Sequence, residues 1–71
     1  MSMVEKIRIL MVKRGNMSEA QLARKMGLSP QNLNNKMQRD NFTERDLLEV
    51  AKALDCTFIA GFKLNDTGEE V

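Results

Sequence analysis

The sequence predicts a small, mainly α-helical domain in which four helices are followed by one β-strand. Three observations predict it. Apolar residues recur at helical spacing, capping patterns precede three of the helical stretches, and residues 56–64 alternate with a period of two. The chain has 71 residues, 42% of them apolar, so one domain with a marginal core is expected, and a partner subunit would supplement that core. We divide the chain into a domain of residues 1–64 and a flexible acidic tail of residues 65–71.

The first two predicted helices are separated by a glycine-containing turn. Helix one covers residues 3–14, and the Gly-Asn pair at residues 15–16 ends it. Ser18 is followed three residues later by Gln21, which is the capping-box pattern that begins a helix. Gly27 is suited to the left-handed conformation that ends helix two.

The third and fourth helices also begin at capping residues. Ser29 is a good N-cap and Pro30 a good first helical residue, so helix three starts there and continues to about Gln38. Thr43, with Asp46 three residues later, predicts the start of helix four. The apolar face of helix four has the spacing that closes a core: Leu47, Val50, Ala51 and Leu54.

The predicted strand, residues 56–64, has no partner strand in an otherwise helical chain. Its unpaired N–H and C=O groups form a template for pairing. We hypothesise that residues 57–64 pair antiparallel with the same segment of a second chain. The expected homodimer interface consists of four alternating residues: Phe58, Ala60, Phe62 and Leu64. The strand could instead fold back over its own helices or bind another protein.

The composition excludes most enzyme classes. The chain has no His, no Tyr and a single Cys56, so it lacks an imidazole base, a Cys/His pair and a zinc ligand set. We expect no catalysis, no cofactor and no metal. No apolar run approaches the roughly 18 residues of a membrane span, and the first residues lack the features of a signal peptide. We therefore expect no membrane partner and a cytoplasmic location.

The charges are unevenly distributed, although the formal net charge is only +1. Residues 1–41 carry eight Lys or Arg against three Asp or Glu, a formal charge of +5, whereas residues 42–71 carry three against seven, a formal charge of −4. A basic amino-terminal half is typical of a protein that binds a polyanion. A solvated surface of mixed charge is the alternative.

Helix three is unusually rich in amide side chains. Asn competes with the backbone for hydrogen bonds, so three Asn within four positions lower the helix propensity. Amides can bind N6 and N7 of adenine together in the major groove of DNA, which would compensate for that loss. The alternative is that the amides form a merely polar face in solvent.

Residues 18–37, SEAQLARKMGLSPQNLNNKM, form a short capped helix, a glycine turn and a second helix. With Ala23, Gly27, Leu28 and Leu33 at the motif positions, they resemble the lambda repressor and Cro-like (Xre-type) helix-turn-helix regulators, and the resemblance covers about residues 3–54. It implies a lambda-repressor-like DNA-binding domain of prokaryotic or phage origin. It also implies that residues 29–38 form a recognition helix in the major groove, while the preceding helix crosses the phosphate backbone.

The resemblance and the charge pattern together select candidate contact residues. The candidates for reading bases are Ser29, Gln31, Asn32, Asn34, Asn35 and Gln38. The candidates for phosphate contact are Ser18, Gln21, Arg24, Lys25, Lys36 and Arg39. The chain departs from the family pattern twice: Glu19 stands where an amide often touches phosphate, and Lys36 stands where an apolar residue is usual, with Met37 following it.

We therefore expect a small, nucleoid-associated dimeric regulator of transcription, acting as a repressor, that binds double-stranded DNA in a sequence-specific manner. A two-fold dimer presents its recognition helices roughly 34 Å apart, which implies a pseudo-palindromic operator. The alternative is a protein-interaction module, antitoxin-like or an adaptor, that acts through the strand of residues 56–64.

Overall fold

The computed structural model describes residues 2–71 and confirms a mainly helical architecture. The four helices are α1 Met3–Lys13, α2 Glu19–Met26, α3 Pro30–Arg39 and α4 Glu44–Ala53. Their bounds agree closely with the predicted ones because each helix begins at a side chain that caps it. None of the helices described for residues 2–71 has the length and apolarity needed to cross a membrane.

The turn between α2 and α3 is fixed by local hydrogen bonds. At the start of α2 the Ser18 hydroxyl accepts from the Gln21 N–H at 3.1 Å, and the Ser18 N–H donates to the Gln21 side chain at 2.9 Å. At its end Gly27 has φ 73°, the left-handed conformation that a side chain would oppose. The Leu28 N–H then donates to the Ala23 carbonyl at 2.8 Å. These bonds define where α3 begins relative to α2.

The core lies between all four helices. Leu22, Ala23 and Leu33 have no exposed surface, so α2 and α3 meet closely at the centre of the molecule. Met37 is 3% exposed and fills the core position one residue after Lys36, which is only half-buried. The buried residues are Ile7, Met11, Leu22, Ala23, Leu33, Met37, Val50, Ala51 and Leu54.

Two polar residues connect helix ends that are distant in sequence. The Arg14 guanidinium donates to the carbonyls of Leu54 at 2.7 Å and Asp55 at 2.9 Å, and so satisfies the carboxyl end of α4. The Asp40 carboxylate accepts from the Val4 N–H at 3.2 Å at the start of α1. Arg14, counted above within the basic half of the chain, therefore has a structural partner.

The predicted strand over residues 56–64 is not confirmed. Residues 2–71 contain no strand, only an isolated antiparallel bridge between Lys63 and Glu70. The chain turns at residues 65–67, and Phe62 and Val71 then exchange hydrogen bonds in both directions, at 2.8 and 2.6 Å. The short tail supplies only this brief pairing, so the segment has no full partner strand within residues 2–71.

The acidic tail, residues 65–71, is in contact with the segment before it. Besides the Phe62 bonds, the Leu64 N–H donates to the Glu69 carbonyl at 2.8 Å. A Cβ on Gly61 would lie 2.8 Å from the carbonyl oxygen of Val71, so only glycine permits this close approach. The division of the chain at residue 64 stays a prediction.

The segment of residues 56–64 changes its surroundings along its length. Cys56 packs against the core, and the half-buried Phe58 lines a groove between α1 and α4. Ile59 is 88% and Phe62 81% exposed, and Ala60 and Leu64 are exposed as well. The first part therefore folds over its own helices, as the alternative expected, while the second part projects its apolar side chains into solvent.

Candidate nucleic-acid interface

The α3 helix has a buried side and an exposed side. Leu33 and Met37 are buried. Because successive helical residues turn by about 100°, the residues on the opposite side of α3 are at positions 31, 35 and 39. These are Gln31, Asn35 and Arg39, and all three are exposed. An outward row of polar side chains is therefore present on a helix whose other side is fixed in the core.

The two amides of this row are hydrogen-bonded to each other. Gln31 Nε2 donates to Asn35 Oδ1 at 3.2 Å. Gln31 keeps its carbonyl oxygen and one N–H free of this bond, and Asn35 keeps its amide N–H groups. Adenine presents one donor, N6–H, and one acceptor, N7, in the major groove. The pair consequently offers the donor and acceptor groups that an adenine edge requires.

The remaining candidates for base contact differ in their surroundings. Asn32 and Gln38 are exposed. Ser29 is the N-cap of α3, where its hydroxyl accepts from the Asn32 N–H at 3.1 Å and is still able to donate. Asn34 is half-buried, and its Nδ2 donates to Glu19 Oε2 at 3.4 Å, so it faces α2 instead of the outer side of α3.

Cationic side chains lie at the ends of α2 and α3. Arg24 and Lys25 are exposed in the last turn of α2, and together with Gln21 they line a shallow polar depression. Arg39 is exposed in the last turn of α3. Ser18 and Gln21 are exposed, although both already take part in the capping box. Both helices of the helix-turn-helix unit thus expose positive charge in their last turns.

Lys36 is placed differently from the other predicted phosphate contacts. Its Nζ lies 2.9 Å from Asp46 Oδ2, at the start of α4. The same oxygen accepts from the Thr43 N–H at 3.0 Å. The Thr43 N–H foremost, and Lys36 as well, hold the pKa of Asp46 below its ordinary value of 3.8, although burial opposes them. The carboxylate therefore remains charged at neutral pH.

Sequence reasoning missed this ion pair, but two signals pointed to it. Lys36 occupies a position that the family pattern makes apolar, so its side chain had to lie beside the core. The Thr43 and Asp46 capping pattern placed a carboxylate at the first turn of α4. Their proximity depends on the turn at residues 40–43, which no local pattern specifies.

Glu19, the second departure from the family pattern, lies between three helices. Its side chain is 31% exposed, Arg8 of α1 lies 3.8 Å from it, and Asn34 of α3 donates to it. Its charge is therefore directed toward α1 and α3. In residues 2–71 no three His, Cys, Asp or Glu side chains group in a way that could hold a metal ion.

A comparison with known protein families matches residues 6–60 to the Cro/C1-type helix-turn-helix (HTH) DNA-binding domain. Comparisons with curated proteins and with solved structures gave no match. The family match covers most of the chain, including the capped α2, the Gly27 turn and α3. The resemblance stated from the sequence is thereby confirmed, and the chain belongs to the Cro/C1-type HTH DNA-binding family.

Proposed function

We propose that this protein binds double-stranded DNA in a sequence-specific manner and regulates transcription, with α3 as the recognition helix in the major groove. The observation that supports this most is the row of Gln31, Asn35 and Arg39 along α3, directly opposite the buried Leu33 and Met37. A row anchored in this way presents hydrogen-bonding groups in a fixed orientation, which base reading requires.

The proposed contacts follow from exposure and chemistry. The base-contacting residues are the exposed polar side chains on and before α3: Ser29, Gln31, Asn32, Asn35 and Gln38. The phosphate-contacting residues lie on α2 and at the end of α3: Ser18, Gln21, Arg24, Lys25 and Arg39. Binding needs no cofactor and involves no catalysis.

The affinity for DNA is expected to fall steeply with salt concentration. Each phosphate contact contributes a slope of about −0.9 in a plot of log association constant against log salt. Contacts from Arg24, Lys25 and Arg39 in two subunits would give a slope of about −5. Selection from random duplexes would first identify the preferred site, and fluorescence anisotropy between 50 and 200 mM salt, a range in which such slopes are roughly linear, would then measure the slope. Absence of any enriched sequence, together with no binding to duplexes at low salt, would refute the proposal.

We also propose that two copies form a two-fold homodimer through residues 57–64. The bonds to the tail use the N–H groups of Phe62 and Leu64, which lie on one edge of the segment. Among residues 2–71 no acceptor is found for the N–H groups of Gly61 and Lys63, which alternation places on the other edge. A second copy of the same segment can pair along that open edge.

The side chains of this segment support the same proposal. Ile59 and Phe62 are apolar and more than four-fifths exposed, which favours burial against a second copy. The dimer would place two recognition helices roughly 34 Å apart, one helical turn of DNA, and would therefore bind a pseudo-palindromic site. Occupation of such a site within a promoter would repress transcription by excluding polymerase.

The variant Phe62→Asp is expected to shift the protein from dimer to monomer at micromolar concentration. It replaces an apolar side chain in the proposed interface with a charge, so the dimer dissociation constant should rise at least about ten-fold. Sedimentation velocity measures the change. Val12→Asp is the matched control because Val12 is 62% exposed on α1, outside the proposed interface. A wild-type monomer at micromolar concentration, or a dimer unaffected by Phe62→Asp, would contradict this prediction.

A further inference from the structure

We propose that Lys36 and Asp46 form a positioning pair that sets the orientation of α3, and that Lys36 does not contact phosphate. This inference rests on the proposed function, because the orientation of α3 matters only if α3 reads DNA. It assigns a role within the molecule to a lysine that the sequence pattern assigned to the DNA backbone.

The direction of the Lys36 side chain supports a positioning role. It is 30% exposed, and its Nζ lies 2.9 Å from Asp46 Oδ2. At about 100° per residue, Lys36 lies about 100° around α3 from Asn35 and further still from Gln31. The amine therefore points toward α4 and away from the two amides.

Asp46, the partner of Lys36, is itself held in place. The Asp46 N–H donates to Thr43 Oγ1 at 3.1 Å, while Asp46 Oδ2 accepts from the Thr43 N–H at 3.0 Å. This capping box fixes the carboxylate at the first turn of α4. Its side chain is only 19% exposed. A fixed acceptor of this kind can define the position of the lysine that binds it.

The packing of the helices also supports a positioning role. The α2 helix packs against both α3 and α4. Within residues 2–71, Lys36 and Asp46 provide the direct polar link between α3 and α4. On the opposite flank of α3, Asn34 donates to Glu19 of α2 at 3.4 Å. The two polar contacts lie on either side of the buried stripe and oppose rotation of α3 about its own axis.

A small rotation of α3 would matter for base reading. Bidentate contact with adenine requires the amide to lie in the plane of the base, at ordinary hydrogen-bond distances. Phosphate contacts tolerate such a rotation better, because the cationic side chains that make them are flexible. These contacts carry no sequence information. Loss of the pair should therefore reduce discrimination between sequences more than it reduces affinity for DNA in general.

The variant Asp46→Asn separates the two possible roles of Lys36, because they predict opposite changes in the affinity for the selected site. The variant removes one negative charge from each subunit and leaves an oxygen that can still accept from the Thr43 N–H. If Lys36 positions α3, the ratio of affinities for the selected site and a random duplex falls about ten-fold, while affinity for the random duplex is unchanged or slightly higher. If Lys36 contacts phosphate, its release from Asp46 tightens binding to both duplexes, which would overturn the proposal.

Thr43→Ala is the matched control. It removes the hydroxyl half of the same capping box and keeps the Thr43 N–H donor and both partners of the ion pair. Both variants should lose thermal stability to a similar extent, but only Asp46→Asn should lose discrimination. Equal losses of discrimination would show that the start of α4, and not the ion pair, is responsible.

The salt dependence of Lys36→Gln provides an independent measurement. Removal of a phosphate contact reduces the slope of log association constant against log salt by about 0.9 per subunit. Lys36→Gln should leave the slope unchanged, whereas Arg39→Gln should reduce it by that amount. A reduced slope for Lys36→Gln would overturn the proposal.

A measurement without DNA distinguishes failure of this inference from failure of the proposed function. Residual dipolar couplings of the backbone N–H groups report the orientation of α3 relative to α4. They should change for Asp46→Asn and stay constant for Thr43→Ala. If the wild-type protein ignores all duplexes, the proposed function fails, and the couplings still decide whether the pair positions α3. Unchanged couplings in Asp46→Asn would refute the pair's role directly.

Discussion

The variant Leu33→Ala is expected to lower the free energy of unfolding by about 2–5 kcal/mol and to leave little folded protein. Leu33 has no exposed surface and belongs to the same core cluster as Leu22, Ala23 and Met37. Truncation loses the burial of the removed carbons and leaves a cavity that rigid neighbours fill only in part. A single core of this size rarely supplies more than about 3–5 kcal/mol, so the loss approaches the whole stability.

Urea denaturation followed by circular dichroism measures this effect. The matched control is Leu48→Ala, since Leu48 is 52% exposed on α4 and its truncation should change the stability by less than about 0.5 kcal/mol. Similar effects for the two leucines would show that Leu33 does not hold α3 in the core. The proposed orientation of the amide row would then lose its basis.

The helices could be predicted from the sequence because their determinants are local. Ser18, Ser29 and Thr43 each cap the helix that follows through a backbone N–H three residues away. Gly27 ends α2 through its own conformation. Each of these signals is contained within a few residues, so no knowledge of the tertiary structure was needed to read it.

The structure of the C-terminal segment could not be predicted from local patterns alone. Alternation over residues 56–64 specifies an extended backbone but not its partner, because strand pairing depends on segments elsewhere in the chain or in another chain. In the structure the partner of Phe62 is Val71, in a tail whose polar, acidic composition predicted no pairing. Gly61 was a signal for this contact, since a glycine inside an alternating run often marks a close backbone approach.

The candidate site also has one part that local patterns predict and one part that depends on tertiary contacts. Helical periodicity places Gln31 and Asn35 on the free face of α3, and both are exposed; it does not show that Asn34, predicted on the same face, is half-buried against Glu19. It could not distinguish Lys36 from Arg39, since both are cations near the same face. The two cations differ because the turn after α3 brings Asp46 next to Lys36 and not next to Arg39.

The amide pair on α3 is expected to carry most of the sequence discrimination. The double variant Gln31→Ala/Asn35→Ala should reduce the preference for the selected site over a random duplex by about 100-fold or more, since each good amide contact with a base contributes roughly 1–3 kcal/mol. Because the two side chains share a hydrogen bond at 3.2 Å, the effects of the single variants should not be additive. Titration of each variant against both duplexes measures the ratio.

Arg39→Ala is the matched comparison on the same exposed row, and it should weaken binding to both duplexes by a similar factor while the ratio stays nearly constant. Loss of folding cannot imitate the effect of the double variant, since alanine is a better helix former than either amide and both positions are exposed. Equal losses on both duplexes for all three substitutions would show that Gln31 and Asn35 do not read bases. The discrimination would then have to come from the shape of the DNA or from the arrangement of the dimer, neither of which needs an amide on α3.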